Sequence, residues 1–300
     1  MIERFTAQRA TSPDYALAEG AVWNATQRQV GWIDIPRGEL IVGELANDLS
    51  IAPVRTRRID ATVGALAVAT DGTWVVGGAE SLIVAGESLH QLTQVLPHDS
   101  GRRLNDGTAD PHGRYLVGTA SLSDPHEGNS LWCWDPVGGI RLVRSSVLLS
   151  NGVGFSPSGQ TIYHVDSKAY AVDHASYDPT TGTVGKWQRF TDVTDGQPDG
   201  LTIDSDGCLW VAIWGAGRVR RYSPHGEVLA EIAVDAPLTS SVAFAGQALD
   251  IIVITTARRG LDDATLRAYP DAGALFTARS PVRGMHAHRV RLSEDTQIMR

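Results

Sequence analysis

Cysteine is scarce in this 300-residue chain: only Cys133 and Cys208 occur. Two cysteines build no disulfide framework, so the sequence predicts two half-buried thiols in a reducing compartment. Long apolar runs are missing too. The best of them, residues 251–254 (IIVI), has a strand's length and falls far short of the ~18 residues of a membrane-spanning helix. The opening residues, MIERFTAQRA, lack the apolar core of a secretory signal. These absences predict a soluble, cytoplasmic protein with no membrane partner. Positive charge is in deficit: 26 Lys and Arg stand against 34 Asp and Glu, for a net charge of −8. That balance argues against nucleic acid as a partner and suits a small molecule. No window of helical length sustains a helical period. Phosphate loops, nucleophile elbows and zinc-protease helices are absent, and residues 152–154 (GVG) are too few for a dinucleotide fingerprint.

What the chain does have is glycine, 31 residues, and a hairpin that recurs. Residues 201–213 read as two short strands around Ser205, Asp206 and Gly207, with glycine supplying the positive φ that a tight turn needs. Related stretches are 68–77 (VATDGTWVVG), 109–118 (ADPHGRYLVG) and 155–164 (FSPSGQTIYH), with weaker copies at 23–32 and 244–251. Eight residues before the turn glycines 72, 113, 159 and 207 stand Gly64, Asn105, Asn151 and Asp199; the same register in the weak copies selects Glu19 and Ser240. These six slots are spaced by 45, 41, 46, 48 and 41 residues. Such a period, with further strand-like runs between the copies, is that of a propeller blade. The expectation is an all-β, six-bladed β-propeller with four-stranded antiparallel blades around a central channel, one domain over residues 1–300. A polar insertion at 121–129 interrupts the third unit and reads as a functional loop.

Positions two and four after each slot are mostly apolar, which by strand alternation places the slot at the end of an inward face. Around one axis the slots then converge as Glu, Gly, Asn, Asn, Asp and Ser. Acids and amides without thiolate or imidazole are the donor set of a hard divalent cation, Ca²⁺, Mg²⁺ or Mn²⁺, with Zn²⁺ less suited. A polar, water-filled channel that binds nothing is the other reading. Two facing carboxylates without a cation would repel, which favours the metal. Arg102 and Arg103, beside the ring, suit either solvent or an anionic or polyhydroxylated ligand. His286 and His288 read as a surface turn, Asp262 and Asp263 as a solvated loop, and Trp214 as core or pocket wall.

Four segments, 17–23 (LAEGAVW), 103–107 (RLNDG), 150–152 (SNG) and 198–200 (PDG), resemble the signature segments of the SMP-30/gluconolactonase/regucalcin family. The resemblance continues through 114–119, 165–167, 209–212, 217–219 and 255–261, and so covers about residues 15–290 in order. It implies a six-bladed propeller with one divalent metal at the channel mouth, held by Glu19, Asn151 and Asp199. Arg103 and Asn105 would contact the substrate, a sugar lactone hydrolysed to its aldonic acid. Asp199, a carboxylate at the metal, is the candidate general base toward water. Ser123 stands where several family members carry a substrate-contacting Glu, which leaves the sugar open. The competing expectations are a non-catalytic cation-binding regulator or scaffold, and another ester or phosphotriester hydrolase. The protein is expected to be a monomer or a small homo-oligomer.

Overall fold

The structure, a computed structural model, describes residues 2–123 and 128–292. It is an all-β, propeller-like ring. The first sheet is an antiparallel meander of Ala18–Asn24, Gln29–Asp34, Glu39–Leu45 and Ile51–Arg58. The second runs Ala65–Val68, Trp74–Gly77, Ser81–Ala85 and Leu89–Gln94, and the third Arg102–Ala109, Tyr115–Ser121, Asn129–Asp135 and Gly139–Val147. A fourth sheet has five strands, because Thr183–Val184 and Gln188–Asp192 both pair with Ala171–Asp178. The remaining strands form one nine-stranded sheet.

Within that large sheet, Gln197–Ile203, Leu209–Trp214, Arg218–Tyr222 and Val228–Ala233 form one meander. Leu238–Ala245, Ile251–Ala257 and Phe276–Arg279 form another. A single residue pair, Trp214 with Leu238, joins them. The cause is local: the connection between the meanders runs beside Trp214, and Gly215 and Gly217 both donate to the Pro237 carbonyl. The N-terminal segment completes both meanders. Glu3–Thr6 adds in parallel to Val228–Ala233, and Gln8–Arg9 adds antiparallel to Phe276–Arg279. Uniform four-stranded antiparallel sheets, expected from the repeat, are therefore modified in the fourth sheet and in this one.

The first strand of each meander packs against the next, from Ala18–Asn24 round to Leu238–Ala245, which returns to Ala18–Asn24. Burial follows position. Ser150–Phe155 is buried throughout, whereas most of Ile51–Arg58 is exposed. The core lies between neighbouring sheets: Ile33, Leu40 and Val42 meet Leu66, Trp74 and Val76, and Leu116, Leu131 and Cys133 meet Phe155, Ile162 and Tyr177. Both cysteines are buried free thiols, not half-buried ones. Burial pushes Cys133 up to about 11.

The turn glycines behave as the register requires. Gly72, Gly113, Gly159 and Gly207 have φ of 86°, 86°, 71° and 79°, and each closes its turn by donating to the carbonyl three residues back. At this end of the ring the C-terminal segment forms a strap. Ser205 donates to the Arg283 carbonyl, Thr70 to that of Val290, and Arg291 to that of Gly113. The strap carries Met285, His286 and His288 to the end of the axial channel. His288 lies edge-on to Phe155, with its centroid 6.1 Å away, so it belongs to this closure and not to a free surface turn. Asp262 and Asp263 are likewise structural: Asp262 caps a short helix, Asp263–Ala268, through its side chain and the Thr265 amide.

Gly64, the one slot without a side chain, is set by sterics. A Cβ there would lie 2.0 Å from the Leu104 carbonyl oxygen of the adjoining strand. Gly64→Ala must push two inner strands apart, and we expect it to cost about 1–3 kcal/mol of stability. A denaturation midpoint equal to that of the unmutated chain would show that the ring is looser than this contact requires.

Candidate functional site

The site is made by irregularity in the innermost strands. The pairing register shifts between Glu19 and Val22, Asn105 and Gly107, Ser150 and Val153, Pro198 and Leu201, and Thr239 and Ser241. A bulge breaks strict alternation and re-aims a side chain. Here it separates two populations that continuous alternation would have put on one face. The residues after the slots, among them Trp23, Leu66, Phe155, Ile203 and Phe244, line the axial channel. Glu19, Asn105, Asn151 and Asp199 instead line a chamber of about 220 Å³ at its mouth, with Arg103, Ser167, Lys168, Gln197 and Trp214. Gly64 contributes nothing there. Ser240 turns away, its hydroxyl 2.6 Å from the Ala18 carbonyl, and so ties the last inner strand to the first.

One chain of hydrogen bonds fixes the polar groups. Arg103 donates to Asn105 Oδ1 at 2.6 Å, and Asn105 Nδ2 donates to Asn151 Oδ1 at 2.7 Å. Asn151 Nδ2 donates in turn to Ser167 Oγ at 2.7 Å, and that hydroxyl gives its proton to the Pro198 carbonyl at 2.6 Å. Because a hydroxyl has one proton, Ser167 can only accept from Asn151, which sets the amide with its nitrogen on Ser167 and its oxygen on Asn105. That oxygen keeps a second lone pair beside its bond from Asn105.

The carboxylates are the uncompensated part. Glu19 accepts from the Gly20 amide at 3.1 Å, while Asp199 Oδ1 is buried with no hydrogen-bond partner. Asp106, one residue past Asn105, sits beneath them in the channel wall and accepts from the Gly107 amide at 2.7 Å. Burial pushes Glu19 up to about 8, and the Asp106 charge adds to the shift. Burial raises Asp106 to about 6. Asp199 is raised well above the usual carboxylate range by burial, then by Glu19 and Asp106. Arg103, though drawn down to about 10 by burial, is held charged by Glu19 and Asp199. No group of three His, Cys, Asp or Glu residues arranged for a metal occurs among the described residues. A cation here would rest on two carboxylates and an amide oxygen.

The structure thus gathers Glu19, Arg103, Asn105, Asn151 and Asp199. Ser123 is exposed, and it is the preceding Leu122 that lines the outer cleft. Residues 124–127 of the predicted functional loop lie outside the described residues. Trp214 is a wall of both chamber and outer cleft. Sequence reasoning gave no role to Asp106, Ser167 or Lys168. For Asp106 the signal was present, an acid directly beside a slot residue and followed by glycine.

A pH test follows from the raised acids. Folded Glu19 keeps its proton to about pH 8, whereas the ordinary value is 4.5, so between these values the folded state binds the extra proton. Its protonation therefore supports the fold fully below pH 4.5, and that support is lost as pH rises toward 8. In chelator-treated buffer the melting temperature of the unmutated chain should fall relative to Glu19→Gln across this window. Parallel melting curves for the two proteins would contradict a carboxylate buried without compensation.

Comparison with known proteins places the chain in a family. The chain is 32% identical to a pentonolactonase of Haloferax volcanii, over 84% of this chain and 85% of that protein. It is 32% identical to rabbit (Oryctolagus cuniculus) regucalcin, over 86% and 89% of the two chains. A crystal structure from Agrobacterium tumefaciens, described as a calcium-binding protein, regucalcin, superposes with a TM-score of 0.89 at 27% identity, covering 97% of this chain and all of that one. Residues 17–258 match the family described as the SMP-30/Gluconolactonase/LRE-like region. The chain belongs to the SMP-30/gluconolactonase/LRE-like family.

Proposed function

We propose that this protein hydrolyses a sugar lactone to the aldonic acid, using one divalent cation at the chamber and Asp199 as general base. Lactonase names among its relatives support the reaction class. In the same reading the ring counts as six blades in one domain. The closed succession of first strands supports this, the nine-stranded sheet being two blades joined at Trp214 and Leu238. The observation that carries the proposal is the buried, unpartnered Oδ1 of Asp199 in the chamber that Glu19 also lines.

A divalent cation fits these residues. Isolated buried carboxylates are costly unless paired or coordinated, and Asp199, Glu19 and the amide oxygen of Asn151 are hard oxygen donors suited to Ca²⁺, Mg²⁺ or Mn²⁺, with Zn²⁺ less so. When bound, the cation supplies Lewis-acid polarisation of the lactone carbonyl and offsets the negative charge of the acids. Arg103 donates toward substrate oxygens and holds the ring in place, and Asn105, whose two amide protons go to Asn151 and the Ser150 carbonyl, meets the ring beside it and fixes Arg103 through its oxygen. Asp199 takes a proton from the water whose oxygen attacks the carbonyl carbon. As the bond from the acyl carbon to the ring oxygen breaks, the same carboxyl returns the proton to that oxygen, leaving a carboxylic acid and a hydroxyl. A carboxylate placed beside the attacking water is suited to this shuttle.

The calcium-binding description of the Agrobacterium relative favours a second reading, a cation-binding protein without turnover. A pH-indicator assay with a panel of aldonolactones separates the two: we expect acid release that stops with chelator and returns with one metal. Binding of that metal without acid release from any lactone would favour the second reading. Asp199→Asn should lower kcat/KM by about 10³-fold while leaving the fold intact, general-base groups being worth about 10²–10⁴. Near-normal turnover by this variant would sink Asp199 as the base.

A further inference from the structure

The mouth of the chamber is cationic in a way the lactone reaction does not use. The outer cleft is lined by Leu17, Ile35, Arg103, Trp214 and Arg259 among others, and it shares its first four with the inner chamber, whose rim carries Lys168. Three cations therefore border one opening in a protein of net charge −8. Their situations differ. Arg103 is answered by Glu19 and Asp199. Among the described residues, neither the Lys168 ammonium nor the Arg259 guanidinium has a hydrogen bond or an ion pair. Arg220, by contrast, is paired with Asp195 and Glu231 at 2.8 and 2.7 Å.

Arg259 is exposed and Lys168 half-buried, but both sit on fixed backbone. Lys168 lies in the 3-10 turn Ser167–Ala169, anchored by Ser167 to Asn151 and Pro198. Arg259 follows a backbone held by two amides, its own and that of Arg258, on the Ala16 carbonyl at 2.9 and 3.1 Å. Arg259 also repels Arg103, adding to the burial that depresses the Arg103 guanidinium. Like charges held at one opening by fixed backbone are at odds with each other until an anion joins them.

We infer that the mouth selects a sugar lactone bearing an anionic substituent, a carboxylate or a phosphate, at the end remote from the reacting carbonyl. This rests on the lactonase reading above. In the productive orientation the carbonyl enters first, toward Asp199, and the anion stays at the opening between Lys168 and Arg259. Arg103 lines both regions and sits where the ring itself would lie.

The test compares kcat/KM for a neutral hexonolactone with that for the same ring carrying a C6 carboxylate and, separately, a C6 phosphate. The unmutated protein should favour at least one charged ring by about tenfold, an advantage that shrinks at about 0.5 M salt. Arg259→Glu should remove that advantage, and Lys168→Gln should reduce it. Arg55→Glu, the same charge change on an exposed strand, should leave the ratio unchanged. Whichever charged ring is favoured identifies the anion. Equal kcat/KM for all three rings, or a ratio that Arg259→Glu does not move, would overturn the inference while leaving the lactonase reading standing. No turnover of any ring would remove both.

Discussion

The desolvation of a few acids is the constraint around which this molecule is arranged. Glu19, Asp106 and Asp199 are buried where inner strands converge, with Arg103 as the cation that answers Glu19 and Asp199. Ionised groups in such surroundings favour their neutral forms unless opposite charge is supplied. The cost has to be borne by the rest of the fold, and the inter-sheet cores bear it. Trp32, Trp74, Trp210 and Tyr115 are fully buried, and each such aromatic contributes a large apolar area to the interior. The ring is also fastened chemically between sheets. Arg114 pairs with Asp110 and Asp135 and donates to the carbonyls of Pro179 and Thr180, and Tyr177 donates to Asp110.

Given that cost, the way the acids are positioned becomes intelligible. Regular strands would alternate and bury slot residues on the same face as Val153 or Leu201. Register shifts in five of the inner strands instead leave residues such as Val153 and Leu201 along the channel while Glu19, Asn105, Asn151 and Asp199 face its mouth. Where a side chain would collide with the next strand the slot is Gly64, and where closure of the ring matters more than chemistry it is Ser240. Four slots remain for the site, and their order around the ring places the two amides between the two acids.

Much of this was legible in the sequence because it depends on local geometry repeated at a fixed spacing. The eight-residue interval from slot to turn glycine reflects a strand and a turn of nearly constant length, and it brought Asn105, Asn151 and Asp199 to notice together. Glu19 needed the register to be carried into a weak copy, where the left-handed residue is Arg28 and no glycine. The rest depended on tertiary placement. Ser167 matters because a 3-10 turn delivers its hydroxyl to Asn151, and Lys168 because that turn faces the chamber. The joining of two meanders through Trp214 and Leu238 follows from the path of a connection, which no periodicity records. The short helix at Asp263–Ala268 was missed because six residues are too few for a period; its only mark was the Asp262 cap.

The electrostatic gradient along the axis links these features. From the channel wall outward the charges run Asp106, then Glu19 and Asp199, then Arg103, then Lys168 and Arg259. A bound divalent cation would offset the charge of Glu19 and Asp199 and leave the positive groups at the opening. Without it, burial drives Glu19 and Asp199 toward their neutral forms. Arg103 stands at the crossover, one hydrogen bond from Asn105 and two from Asn151. Its guanidinium belongs to both regions, lining the outer cleft as well as the chamber.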